Sequence, residues 1–119
     1  MMKKRTDMKP GSEIEAIIAA IKKFRDDRDW EKFHDPKNLA IGLSVEASEL
    51  LEVFLWKSND EIDKERFKEE LADVCYFAFL LADTFHLDVG GIVREKLKKN
   101  AKKYPVEKSR GSKKKYDEL

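Results

Sequence analysis

Two pairs of acids constrain what this chain can fold into. Glu46 and Glu49 form one pair, Glu70 and Asp73 the other, each spaced i, i+3 within an apolar helical pattern. On a helix that spacing sets both carboxylates of a pair on one face. The first pair interrupts a stripe of Leu39, Leu43, Leu50 and Val53. The second leads into Phe77 and Leu80, beside the row Phe67, Leu71, Val74, Ala78 and Leu81. The acids therefore border faces expected to turn inward, where carboxylates rarely sit without a partner. Two such helices side by side would bring four negative charges together, and most of them can stay ionised only around a cation. An all-oxygen ligand set without Cys or His suits Mg²⁺ or Mn²⁺. The competing reading is a pair of solvated helix faces, because 41% of the residues are charged and glutamate is common in helices. The spacing alone leaves both open.

With 119 residues, five Gly and three Pro, the chain reads as one all-α domain with a modest core. Residues 1–11 are expected to be a flexible arm, 12–104 the helical domain and 105–119 a basic tail. The first helix starts at Ser12 and carries Ile14, Ile17, Ile18, Ile21 and Phe24 at helical period, fading near Asp29. Asp35 before Pro36 is an N-cap and first-turn pair for a second helix reaching Trp56 or Lys57. Ser58 to Glu61 offers a capping box. The third helix covers about Asp63 to Phe85, and the fourth runs from Asp88 to before Pro105. The run Val74–Ala82 is apolar all round, so it is expected to be buried on every side. Four helices can hardly cover it, which points to a helical-bundle dimer or tetramer.

Other features narrow the function. Cys75 is the single cysteine and sits in the apolar run, so no disulfide framework is expected and a cytoplasmic setting fits. Met1-Met2-Lys3-Lys4-Arg5 is basic but no apolar stretch follows, so it is not read as a signal peptide. The nine-residue apolar run is too short to span a bilayer. Residues 94–119 hold 11 basic and 4 acidic residues, against an acidic balance in the rest. An acidic centre with a basic end suits a cation plus a polyphosphate; a solvated lysine face at a helix C-terminus is the plainer reading. Trp30, Phe33 and His34 lie in a connector, where an aromatic either anchors a helix end or stacks on a flat ligand. Lys96, Asn100 and either Lys103 or Tyr104 share a helix face. Nucleic acid is not the expected partner, since no base-reading motif accompanies the basic end; a non-catalytic helical module binding nucleotides or nucleic acid there is the alternative. A di-iron bundle would need Glu-x-x-His pairs, and both pairs here lack His.

Taken in order, several stretches resemble a known family. They are Arg28–Leu39 (RDWEKFHDPKNL), Glu46–Leu50 (EASEL), Phe54–Ser58 (FLWKS), Glu69–Val74 (EELADV), Lys103–Val106 (KYPV), Ser109–Ser112 (SRGS) and Lys115–Leu119 (KYDEL). The chain is similar to the MazG-like all-α nucleoside triphosphate pyrophosphohydrolases, most of all to their deoxycytidine triphosphatase branch, over about residues 24–119. The resemblance implies that Glu46, Glu49, Glu70 and Asp73 bind Mg²⁺, with Mn²⁺ as an alternative. It implies hydrolysis of a nucleoside triphosphate between its α and β phosphates, dCTP or a modified dCTP being the first candidate. Glu49 is the chosen base for the attacking water. An aromatic base pocket is implied at Trp30, His34 and Trp56, with Asn38 and Phe77 also at the substrate. Lys96, Asn100, Tyr104 and Arg110 would serve phosphates and sugar, in a homo-oligomer with sites near subunit contacts. Two positions depart from relatives of eukaryotic type: Ile21 stands where they carry His, and Phe77 where they carry Tyr. Both remove a polar group from the expected base and sugar region, a change that can shift base choice.

Overall fold

Three of the helices begin where an aspartate caps them. The computed structural model describes residues 12–118, and every regular element among them is helical. The helices are α1 (Ser12–Asp27), α2 (Pro36–Glu52), α3 (Lys64–Thr84), α4 (Val89–Lys103) and a single turn, α5 (Val106–Ser109). Short 3₁₀ turns lie at Glu31–Phe33, Asn59–Glu61 and Tyr116–Glu118. The expected arm at 1–11 falls outside the described residues. Asp35 accepts a hydrogen bond from the Asn38 amide at 2.7 Å, with Pro36 in the first turn. Asp63 caps α3 through the Glu65 and Arg66 amides, and Asp88 caps α4 through that of Gly91. Each such cap satisfies an amide that the helix itself leaves unpaired. The expected capping box of Ser58 and Glu61 forms on the 3₁₀ turn before α3.

Helix ends are less regular. Asp29 and His86 adopt positive φ, 55° and 56°, and close α1 and α3 without a glycine. Leu87 N–H reaches the Ala82 carbonyl at 3.0 Å and Trp30 N–H that of Arg25 at 3.1 Å, the six-to-one bonds of Schellman closures. A left-handed residue other than glycine costs about 1 kcal/mol or more. What it achieves after α3 is a sharp turn: α4 leaves at 94°. The regular part of α2 stops at Glu52, short of the expected Trp56 or Lys57. Beyond it the ladder tightens to i→i+3 bonds, and Trp56 takes φ 64°.

α2 packs along α3, and α1 leans on α3. Leu39 of α2, Val53 at its C-cap, and Leu80 and Ala82 of α3 are the buried apolar residues among those described. Burial of a leucine contributes about 1.5–3 kcal/mol each. The stripe read on α2 is thus the packed one. On α3 the row bearing Glu70, Phe77 and Leu80 turns inward, while Leu71 in the neighbouring row stays 41% exposed. Gly42 permits the approach: a Cβ there would sit 2.6 Å from the Phe77 ring.

The protomer leaves much apolar surface open. Ile17, Ile41, Val45, Leu51 and Leu97 are exposed, and within Val74–Ala82 only Leu80 and Ala82 are buried. The radius of gyration is 18.0 Å, against roughly 13 Å for a compact chain of this length. No single described helix is long and apolar enough to cross a membrane.

Candidate active site

Packing α2 along α3 sets the acids against one another. Carboxylate oxygens of Glu46, Glu49 and Glu70 lie within 4.8 Å of one another. Asp73 stands outside that triad, yet its charge acts on both Glu46 and Glu70. One oxygen of Glu46 and one of Glu70 are buried with no hydrogen-bond partner. Desolvation, followed by the hydrogen bond and charge of Glu49 and the charges of Asp73 and Glu70, raises Glu46 from its ordinary 4.5 to about 7. Glu70 is also raised, first by desolvation and then by Glu49, against the opposing pull of Arg66. Orphaned, mutually repelling carboxylates are costly unless something positive joins them. The oxygen-only donor set fits a hard divalent cation.

A cavity of about 510 Å³ opens beside these acids, and Glu46 and Asp73 form part of its wall. Its remaining wall is aromatic and aliphatic: Trp30, Phe24, Tyr76 and Phe77, with Ile17, Ala20 and Ile21 from α1. The rings follow one another in edge contacts. Phe24 meets Trp30 at 5.8 Å and Tyr76 at 6.4 Å, and Tyr76 meets Phe77 at 5.2 Å. Arg28 stacks over Phe24 at 3.7 Å. Apolar walls with a few charged groups at one end are the usual form of a small-molecule site. The flat, π-rich lining suits a planar ring.

The structure brings together Glu46, Glu49 and Glu70, and seats Trp30 and Phe77 in the adjoining cavity with Asp73. His34 is half-buried with an unpartnered Nδ1. Desolvation, then the Arg25 charge, lowers its pKa, so it stays neutral near pH 7, and it lies outside the cavity lining. Asn38 is engaged in capping, its amide donating to Asp35 Oδ2 at 3.2 Å and the Phe33 carbonyl at 3.4 Å. Trp56 is 99% exposed. Lys96, Asn100 and Tyr104 lie on or just after α4, and Arg110 just after α5; none of them lines this cavity. Of α1, the resemblance placed only Ile21 near the base; Ile17, Ala20 and Phe24 join it in the wall. The row Ile17, Ile21, Phe24 was visible, but its partner surface was not. Tyr76 was also missed, although it stands three residues after Asp73.

Fold and site define an all-α protein whose cluster of inward acids, suited to a divalent cation, opens on an aromatic pocket. Residues 41–119 match the MazG-like family. The chain is 41% identical to dCTP pyrophosphatase 1 of Mus musculus over 118 residues, covering 92% of this chain and 69% of that protein. It is 34% identical to the Homo sapiens protein of the same name, covering 97% and 72%. The crystal structure of a pyrophosphatase from Archaeoglobus fulgidus superposes with a TM-score of 0.73 at 39% identity, covering 78% of this chain and 93% of that one. The chain belongs to the MazG-like family.

Proposed function

We propose that this chain is a nucleoside triphosphate pyrophosphohydrolase that converts dCTP, or a modified dCTP, to the monophosphate and pyrophosphate. One observation carries the proposal: Glu46 belongs both to the acid triad and to the wall of the aromatic cavity. A ligand that needs a cation at one end and a flat pocket at the other is a nucleotide. The family membership and the names of the similar proteins support the reaction and the base.

Glu46, Glu49 and Glu70 would hold the cation, with Asp73 beside them, and Mg²⁺ is our choice for an all-oxygen set. Bound there, it would act as a Lewis acid, neutralising charge on the polyphosphate. Glu49 takes a proton from the attacking water. The new P–O bond forms at the α phosphorus, the α–β anhydride breaks, and pyrophosphate leaves. Trp30, Phe24 and Phe77 wall the base and keep water from it.

Lys96, Asn100, Tyr104, Arg110 and Trp56 enter the proposal through a second copy of the chain. The open apolar surface and the extended protomer support a homo-oligomer, dimer or tetramer, in which α4 and its basic end reach a site. A cytoplasmic setting is supported by the half-buried free Cys75.

The test is a panel of common and modified nucleoside triphosphates with Mg²⁺, products resolved chromatographically. Glu49→Ala and Glu70→Ala run beside it, and light scattering gives the mass. The expected result is pyrophosphate and dCMP from wild type and a large loss in both variants. Orthophosphate released with no pyrophosphate would sink the reaction proposed, and a monomer in solution would sink the assembly.

A further inference from the structure

We propose that the Tyr76 hydroxyl hydrogen-bonds the polar edge of the base held in the aromatic cavity, and so sets which base this chain accepts. The proposal rests on the nucleotide reading above and names a residue for its specificity.

Three observations converge on Tyr76. It lines the cavity. Its hydroxyl is buried and has no hydrogen-bond partner. A buried hydroxyl left unpaired is costly, and one on a residue of the cavity wall is explained when a ligand completes it. Its ring is held between Phe24 and Phe77 at 6.4 and 5.2 Å, both near-perpendicular, so the hydroxyl is placed before any ligand arrives. Ile21 and Phe77, the positions where a polar base contact was expected, have none to offer.

Position along α3 indicates which part of a nucleotide it meets. Tyr76 follows Asp73 by three residues, one turn or about 4.5 Å further along the helix. Phosphates gather at the acids, so the next turn faces what lies beyond them. The charges of Arg25, near the end of α1, and Arg28, just after it, act on this hydroxyl. Burial raises its pKa, so it remains a protonated phenol that can both donate and accept. The edge of a pyrimidine offers carbonyl, ring nitrogen and exocyclic groups of both kinds.

Tyr76→Phe removes the hydroxyl and keeps the ring. Two binding probes, dCMP and 2-deoxyribose 5-phosphate, differ only in the base, and both are measured on wild type and variant with Mg²⁺. The expected result is about tenfold weaker dCMP binding, with the same loss in kcat/KM for dCTP carried by KM. Binding of 2-deoxyribose 5-phosphate stays unchanged, and the ligand-free Tm does not fall. Equal weakening of both probes would overturn the proposal by assigning the hydroxyl to sugar or phosphate. Unchanged dCMP binding would overturn it by leaving the hydroxyl idle. Wild type that binds dCMP through Tyr76 but turns over no triphosphate would defeat the reaction reading alone. Wild type that does not bind dCMP would defeat both.

Discussion

Glu46→Gln should make the metal-free protein more stable, not less. The substitution keeps the side chain's shape and removes one charge from a crowd of four acids. Glu46 carries a raised pKa, from 4.5 to about 7, because desolvation and the neighbouring acids disfavour its ionised form. Below about pH 4.5 the carboxyl is protonated whether the chain is folded or unfolded, and the crowding costs nothing. Between 4.5 and 7 the folded state holds the proton that the unfolded state releases, so stability falls as pH rises. Above 7 the full cost is present. At about 1.36 kcal/mol per tenfold in proton affinity, the ceiling is roughly 3 kcal/mol. Solvent screening of a partly exposed group lowers that to about 1–2 kcal/mol. The assay is urea unfolding in EDTA at about pH 5 and about pH 8 for both proteins. The gap between them should open by that amount at the higher pH, and added Mg²⁺ should stabilise wild type more than the variant. A variant no more stable than wild type at pH 8, or a gap independent of pH, would refute the claim that the acids repel one another in the fold.

Gly42→Ala should destabilise by up to about 2 kcal/mol in urea unfolding: the new methyl meets the Phe77 ring at 2.6 Å, an overpacking cost of roughly 1–3 kcal/mol offset by about 1 kcal/mol of helix propensity. Leu39→Ala, at a fully buried site on α2, should cost about 2–5 kcal/mol and lower the denaturant midpoint accordingly. Asp35→Ala removes the α2 cap and should cost about 1 kcal/mol, read as a drop in Tm. His34, whose pKa is lowered by desolvation and then by Arg25, favours the folded state increasingly as pH rises through its unfolded value near 6.5. His34→Gln should remove that increment from a stability–pH curve.

Helix placement and the acid centre were legible because both are local. The 3.6-residue period, the Asp35-Pro36 and Asp88 caps and the stripe from Leu39 to Val53 depend on residues within a few turns of one another, and the structure keeps them. The i, i+3 acids needed one further step, that α2 and α3 lie side by side, which the connector from Val53 to Asp63 allows by turning the chain back through its 3₁₀ turn. Other features depend on which distant surfaces meet. Gly42 looks like any helical glycine until Phe77 lies on it. Ile17 looks like core until α1, leaning on α3, leaves a cavity between it and the aromatic row. Asp29 and His86 close helices in a conformation that composition associates with glycine. Trp56, readable as a pocket wall, stands exposed on the protomer because the ladder tightens after Glu52 and turns it outward. Periodicity along one helix assigns a face to each residue. Only the packing of helices against each other decides what that face touches, since burial and pKa are properties of the contact and not of the residue.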